Sequence, residues 1–206
     1  MSATETATDV PTPHGPARVH VHRADAPVGT VVLGHGAGGG VAARDLLAVK
    51  GVALADRCSV VLVEQPYRVA GRRSPAPAAQ LDAAWTAVLE HLRGDVLGDL
   101  ALVVGGRSSG ARVACRTGAS AGARAVLCLA FPVHPPGRPE KTRLGELDAV
   151  ALPTLVVQGD ADPFGMPPPA PNRVVAAVAG NHSLTSDLDG VAAAVRDWLP
   201  EVLAAP

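Results

Sequence analysis

A serine, an aspartate and a histidine follow one another along this chain in positions from which they could act together. Ser108 lies within Gly106-Arg107-Ser108-Ser109-Gly110, which matches the pattern Gly-x-Ser-x-Gly. Glycine is common here, at 22 of 206 residues, so the pattern gains its meaning from context. An apolar strand precedes it and a helical pattern follows, the setting in which a serine is held on a sharp strand-to-helix turn. The segment therefore predicts a nucleophilic serine, with the amide N–H groups of the following helix directed at a developing oxyanion.

Two later segments offer the acid and the base that such a serine requires. Gln158-Gly159-Asp160-Ala161-Asp162-Pro163-Phe164 follows the next-to-last predicted strand, and Asn181-His182-Ser183-Leu184 follows the last. A histidine accepts the serine proton and later delivers it to the leaving group, while a carboxylate holds the imidazole tautomer and stabilises the imidazolium. The order predicts Ser108 and His182 as partners. Asp160 and Asp162 remain alternatives for the acid, because side chains two residues apart need not point the same way.

The glycine-rich segment His35-Gly36-Ala37-Gly38-Gly39 also follows a predicted strand. Glycines let the backbone approach a substrate closely, so we assign the oxyanion donors to the backbone N–H groups of Ala37 and Ser109. Further residues at this edge could contact a substrate, namely His35, Gly36, Gly38, Tyr67, Arg68 and His134. For His134, capping of a proline turn is the preferred alternative.

The same segment admits a different interpretation, because Gly34-x-Gly36-x-x-Gly39 also fits the Gly-x-Gly-x-x-Gly pattern of dinucleotide-binding proteins. It follows a strand, precedes a helix, and has Glu64 at the end of the next strand, near where a ribose-binding acid would lie. This alternative leaves the serine turn and the aspartate and histidine segments unexplained. A dinucleotide-binding protein is therefore the less favoured hypothesis.

The elements that must position these residues alternate along the chain. Apolar strands are predicted at 18–22, 29–33, 59–63, 99–104, 125–130, 154–158 and 173–178, and helices at 43–57, 78–93, 109–119 and 188–203. Continuous apolar strands separated by helices predict an α/β protein with a mostly parallel, doubly wound sheet. Ligands bind such sheets at the carboxyl ends of the strands, which is where all the segments described above fall.

Length and composition exclude several classes of protein. The chain predicts one domain over residues 18–206 after a loosely ordered lead-in at 1–17. A net charge of −1 and few aromatic residues argue against nucleic-acid binding. We expect no membrane span and no signal peptide, since no apolar segment has the required length or pattern. The scattered Cys58, Cys115 and Cys128 suit a reducing cytoplasm and form no metal-binding cluster, so no metal or cofactor is expected.

Several motifs together resemble a small, lidless α/β-hydrolase, and more narrowly the hydrolase-like family that includes testis-expressed and NSL-complex proteins and short bacterial homologues. The similar segments are residues 33–39, Glu64-Gln65-Pro66-Tyr67, residues 105–112, residues 131–137, residues 158–165 and residues 181–184. The resemblance implies a triad of Ser108, Asp162 and His182, with the acid three residues after Gly159. Ser109 departs from the pattern, since many members of the family carry Met there.

These observations predict a serine hydrolase that acts on a small soluble ester or thioester through an acyl-serine intermediate. Only about twenty residues lie between the strands at 125–130 and 154–158, too few for a lid domain. The loops after several strands carry basic residues, which could form a rim that favours anionic substrates or could be ordinary solvated charges. These residues are Arg68, Arg72, Arg73, Arg138, Lys141 and Arg143. A non-catalytic interaction protein on the same scaffold is the remaining alternative. Oligomeric state is left open.

Overall fold

A single eight-stranded sheet organises the protein in this computed structural model, which describes residues 5–204. Its strands are β1 (Glu5–Val10), β2 (Ala17–His22), β3 (Gly29–Gly34), β4 (Cys58–Glu64), β5 (Ala101–Arg107), β6 (Ala125–Leu129), β7 (Thr154–Gly159) and β8 (Arg173–Val178). They lie in the order β1-β2-β4-β3-β5-β6-β7-β8. The strands from β4 to β8 along this order run parallel, whereas β2 pairs antiparallel with both β1 and β4.

Helices cover the sheet on both faces. They are α1 (Arg44–Ala55), α2 (Pro66–Val69), α3 (Ala78–Leu92) with a π-helical extension (Arg93–Leu97), α4 (Ser109–Thr117), α5 (Leu144–Asp148) and α6 (Leu188–Ala204). The helices α1 and α6 bury their apolar side chains against one face, and α3 and α4 against the other. Because the central strands are buried on both sides, they read as continuous apolar runs. The predicted α/β class with a mostly parallel, doubly wound sheet is confirmed.

The start of the chain differs from the sequence prediction. Residues 5–10, expected to lie in a loosely ordered lead-in, form the edge strand β1, while residues 1–4 of that lead-in lie outside the described residues. Val10 is buried, and Asp9 pairs with Arg18 of the neighbouring strand β2 at 2.7 Å. The segment is rich in threonine and residues 6–9 are all exposed, so it lacks the apolar run by which the inner strands were found.

The loop between β6 and β7 also contains structure that the sequence did not predict. The five-residue helix α5 lies within it and buries Leu147 against the core. A helix this short has no amphipathic repeat to reveal it. Among residues 5–204, no helix has both the length and the apolar character that a membrane span requires.

Candidate active site

Ser108 occupies the sharp turn between β5 and α4. Its backbone has φ of 51° and ψ of −104°, a conformation that costs a residue with a Cβ about 1–3 kcal/mol. The Ser108 N–H donates to the Leu129 carbonyl at 2.8 Å, which ties the turn to β6. The serine is therefore held in a strained position by the strands beside it, with its hydroxyl at the carboxyl end of β5.

The glycines on either side of Ser108 allow a close backbone approach that no larger residue would permit. A Cβ at Gly106 would lie 2.5 Å from the Gly34 carbonyl oxygen, and one at Gly110 would lie 2.6 Å from the Gly34 carbonyl carbon. Real Cβ atoms do not come this close to backbone atoms. Both glycines of the motif are thus required by the contact between the turn and β3.

His182 lies between Ser108 and Asp162 within hydrogen-bonding distance of both. Its Nε2 is 2.9 Å from Ser108 Oγ, and its Nδ1 is 2.8 Å from Asp162 Oδ2. The buried carboxylate fixes the proton on Nδ1, so Nε2 is left to accept the proton of the serine hydroxyl. The three side chains come from loops after β5, β7 and β8 and form one hydrogen-bonded relay.

Asp162 is held by several donors besides the histidine. Its side chain is 1 % exposed, its Oδ1 accepts the Phe164 N–H at 2.8 Å, and its Oδ2 accepts Gln158 Nε2–H at 2.8 Å. Asp160 is exposed and faces away from the relay, with Oδ1 accepting the N–H of Gly180 at 2.9 Å. Of the two alternatives left by the sequence, the structure brings only Asp162 to His182.

Arg107 joins three parts of the site, a role that the sequence analysis missed. Its Nη2 donates to the His182 carbonyl at 2.7 Å, and its Nε lies 2.9 Å from the buried carboxylate of Asp45 at the start of α1. Burial raises the pKa of Asp45, and the Arg107 guanidinium opposes that rise. A Cβ at Gly36 would lie 2.8 Å from Arg107 Nη1. The guanidinium thus braces the histidine loop, α1 and the glycine-rich loop against one another.

Phe164 and Gln158 were also not singled out by type and spacing alone. The Phe164 ring stacks on the His182 imidazole, with centroids 4.0 Å apart and planes inclined by 27°. Gln158 is fully buried, and its Nε2 also donates to the Phe131 and Gly165 carbonyls, at 3.1 and 2.8 Å. Both residues limit the movement of the imidazole and its carboxylate. Their place in the segment that carries Asp162 is the signal that could have found them.

His35 and Tyr67 support the glycine-rich loop. They are 2 % and 3 % exposed, and their expected contact with a substrate stays a prediction. Burial lowers the pKa of His35; its Nε2 accepts the Gln65 N–H at 3.1 Å and its Nδ1–H donates to the Gly36 carbonyl at 2.8 Å. The Tyr67 hydroxyl donates to the Ala37 carbonyl at 2.8 Å. These bonds fix the loop whose amide at Ala37 was predicted to bind an oxyanion.

The other residues that were predicted to contact a substrate or an oxyanion lie in the glycine-rich loop or close to it. Gly36 approaches the serine turn, since a Cβ there would lie 3.7 Å from Ser108 Cβ, while Gly38 is exposed. Ser109 is the first residue of α4, so its N–H lies in the first turn, where amides have no acceptor within the helix. Arg68 is half-buried and donates to the Arg72 carbonyl at 3.4 Å.

His134 is bound to the backbone of its own turn. Its Nδ1–H donates to the Pro135 carbonyl at 2.9 Å, and its backbone N–H donates to the Phe164 carbonyl at 3.0 Å. The second bond joins the loop after β6 to the segment that carries Asp162. The contacts of His134 therefore favour the proline-turn interpretation over contact with a substrate.

Comparison with known families gives the same fold. The sequence matches the family model of the alpha/beta hydrolase domain over residues 27–186. The chain belongs to the alpha/beta hydrolase family. The match spans every segment that contributes to the relay and both proposed oxyanion donors. No match was found among curated proteins.

Solved structures of alpha/beta hydrolases superpose over nearly the whole chain. Est1E from Butyrivibrio proteoclasticus is 14% identical with a TM-score of 0.77, covering 97% of this chain and 99% of its own. XC6422 from Xanthomonas campestris, a serine hydrolase without lid, is 21% identical with a TM-score of 0.73, covering 100% and 99%. A dienelactone hydrolase from Anabaena variabilis is 16% identical with a TM-score of 0.75, covering 98% and 99%. At these identities the similarity establishes the fold.

Within this alpha/beta hydrolase, the glycine-rich loop is poorly arranged for a dinucleotide. A pyrophosphate would need the positive end of α1, yet the first turn of that helix carries the buried carboxylate of Asp45. Glu64, considered as a ribose ligand, lies 3.3 Å from His20. In residues 5–204, no three His, Cys, Asp or Glu side chains are grouped as metal ligands would be.

Proposed function

We propose that this alpha/beta hydrolase is a serine hydrolase that cleaves a small ester or thioester through an acyl-serine intermediate. The observation that carries the proposal is the relay in which His182 lies 2.9 Å from Ser108 Oγ and 2.8 Å from the buried Asp162. A nucleophile bonded to a base that is oriented by a third group is the arrangement that activates a serine hydroxyl. The strained turn, which has no evident structural need for a serine, supports the same role.

The geometry supports a two-stage reaction. As Ser108 Oγ bonds to the substrate carbonyl carbon, His182 Nε2 takes the hydroxyl proton, and Asp162 stabilises the imidazolium. The amides of Ala37 and Ser109 donate to the oxyanion, each contributing about 3 kcal/mol to stabilisation of the transition state. When the tetrahedral species collapses, the bond to the leaving oxygen or sulfur breaks and His182 protonates that atom. Water then attacks the acyl-serine with His182 again as base, which releases the acid and restores Ser108.

A small soluble substrate is supported by the shape of the fold. The segment between β6 and β7 contains only α5 as regular structure, so it covers little of the sheet edge. Among the structural neighbours, Est1E has been solved with ferulic acid bound. These features favour a carboxylesterase or thioesterase over a lipase with a lid.

Two narrower assignments belong to the same proposal. The motif similarity favours membership of the hydrolase-like family with testis-expressed and NSL-complex members. A cytoplasmic location is supported by Cys58, Cys115 and Cys128, all of which are buried free thiols.

Labelling with a fluorophosphonate, which reacts with activated serines, tests the proposed function. We expect the wild type to be labelled and to hydrolyse p-nitrophenyl acetate and butyrate, and Ser108→Ala and His182→Ala to lose both properties. Circular dichroism and thermal unfolding should show that the variants remain folded. A folded wild type that is neither labelled nor active would contradict the proposal and favour a non-catalytic interaction protein, to be sought by partner capture.

A further inference from the structure

A groove of about 470 Å³ lies beside Tyr67, outside the relay of Ser108, Asp162 and His182. The loop after α2 and the first turn of α3 form its walls, and Arg72, Arg73 and Gln80 are among the residues that line it. The catalytic relay does not use this groove. Its lining therefore needs an explanation of its own.

The groove is positively charged and has no acidic counterpart. Neither Asp nor Glu is among the residues that line it. Arg72 and Arg73 are exposed at the groove, and within residues 5–204 no carboxylate lies within ion-pairing distance of either. The positive end of α3, which starts at Ala78, adds to the potential at the groove. Two unpaired guanidinium groups in one concave site favour an anion.

The position of the groove relates it to the proposed reaction. It lies at the carboxyl end of β4, and the order β4-β3-β5 places that end two strands from Ser108. Neighbouring strands are about 4.8 Å apart, so the end of β4 lies about 10 Å from the end of β5 that carries Ser108. Tyr67 lines the groove and also donates its hydroxyl to the Ala37 carbonyl, at 2.8 Å. One side chain thus separates the groove from the loop of the proposed oxyanion site.

We propose that Arg72 and Arg73 bind a carboxylate or phosphate group of the substrate whose carbonyl Ser108 attacks. The proposal rests on the proposed function and adds to it a substrate class, an elongated anionic ester or thioester. Planar guanidinium groups bind both kinds of anion through paired N–H donors. Three of the other basic residues considered for a rim, Arg138, Lys141 and Arg143, are not part of this site, because they follow β6, on the opposite side of β5.

Paired substrates that differ in one charge test the proposal. For the acyl side, p-nitrophenyl octanoate is compared with the p-nitrophenyl ester that carries a terminal carboxylate on the same chain. For the leaving-group side, acetyl pantetheine is compared with its 4′-phosphate. For one of the two substrate pairs, the double variant Arg72→Gln/Arg73→Gln should lower kcat/KM for the anionic member roughly 10-fold or more. The kcat/KM for the neutral member of that pair should not change. The pair that responds identifies the side of the substrate that carries the charge.

A matched control removes two positive charges elsewhere. Arg57 and Arg196 are exposed and belong to the face covered by α1 and α6, away from the groove. The double variant Arg57→Gln/Arg196→Gln should keep the preference for the anionic substrate. Equal rates for both members of each pair in the wild type, or equal losses in the two double variants, would overturn the proposal while leaving the serine hydrolase assignment intact.

A binding measurement separates failure of the groove from failure of the proposed function. Inorganic phosphate is titrated onto Ser108→Ala while the side-chain Nε–H signals of arginine are followed by NMR. Saturable shifts of the Arg72 and Arg73 signals, absent for Arg57 and Arg196, would support the anion site even if no ester were hydrolysed. If these signals do not move and no anionic substrate is preferred, the groove does not bind anions.

Discussion

Asp160 and Asp162 are two residues apart, yet only one of them reaches the imidazole. The Asp162 carboxylate is buried against His182, whereas Asp160 lies in solvent and accepts one backbone N–H. Asp162→Asn should lower kcat by about 10⁴-fold, because an amide in place of the carboxylate favours the wrong imidazole tautomer. Asp160→Asn is the matched control and retains an oxygen that can accept the Gly180 N–H. Steady-state hydrolysis of p-nitrophenyl butyrate by both variants gives the comparison, and comparable losses would exclude Asp162 as the orienting acid.

The strained backbone of Ser108 leads to a prediction about stability. Glycine tolerates φ of 51° with ψ of −104°, whereas alanine retains the Cβ that makes this conformation costly. Ser108→Gly should therefore have a free energy of unfolding about 1 kcal/mol higher than Ser108→Ala, although both are inactive. Chemical denaturation at neutral pH measures the difference.

The following residue provides the control for that comparison. Ser109 is the first residue of α4, where helical geometry suits alanine better than glycine. Ser109→Gly should accordingly be less stable than Ser109→Ala, the reverse of the order at Ser108. If glycine were the less stable substitution at both positions, backbone strain at Ser108 would not be stored in the folded protein.

Residue types and their order along the chain predicted the serine and the histidine, because the chemistry of a relay requires those types. The choice between the two aspartates depends on the turn after β7, which spacing does not fix. Arg107 was missed for a different reason. Its partners, the His182 carbonyl and Asp45, are 75 and 62 residues away in sequence and meet it only in the folded chain.

Among the elements, α3, α4 and α5 are joined by a cluster of charged side chains. Glu146 of α5 accepts hydrogen bonds from Arg112 and Arg116 of α4, and Arg116 also binds Asp82 of α3. Burial by itself would raise the pKa of Glu146, but the two arginines outweigh it and hold that pKa below its usual 4.5. A lowered pKa means that the folded protein binds fewer protons than the unfolded chain. The stability that Glu146 contributes is therefore present above about pH 4.5 and is lost as the pH falls through the folded-state pKa.

Glu146→Gln should consequently lower the free energy of unfolding at pH 7 by about 1–3 kcal/mol and weaken its dependence on pH below 4.5. Urea denaturation at several pH values between 3 and 7 tests this, with exposed Glu140→Gln as the control that should leave both quantities unchanged. Parallel pH profiles for the wild type and Glu146→Gln would show that the cluster contributes nothing to acid sensitivity.

The elements themselves were predicted to different extents. The inner strands β3, β4, β6 and β7 were located within one or two residues, since burial on both faces leaves little but apolar residues in them, and the apolar run of the edge strand β8 located it as well. The edge strand β1 and the short α5 were not found. Neighbouring elements stabilise both of them, since β1 pairs with β2 and α5 is bonded to the arginines of α4. Neither has an apolar repeat of its own that the sequence could reveal.

For the whole molecule, the absence of a lid in the described fold determines how the rate should depend on the physical state of the substrate. The segment between β6 and β7 is anchored, since Leu147 is buried and Glu146 is bonded to α4, and so α5 is poorly suited to move as a cover. The rate of hydrolysis of p-nitrophenyl esters should rise to saturation smoothly with ester concentration. It should show no break at the concentration at which the ester aggregates. Among uncharged esters, which have no group for the arginines beside Tyr67, short acyl chains should be preferred over long ones. A sharp rise in rate at the aggregation point would contradict this expectation.

The relay connects residues that are far apart in the chain, since Ser108 and His182 are separated by 74 positions. Its parts meet only after β5, β6, β7 and β8 have paired in parallel, and non-local pairing of this kind is slow during folding. Helix formation and early collapse can precede it without creating a reactive serine. Recovery of fluorophosphonate labelling during refolding would therefore report completion of the parallel sheet, at a later time than recovery of helical circular dichroism.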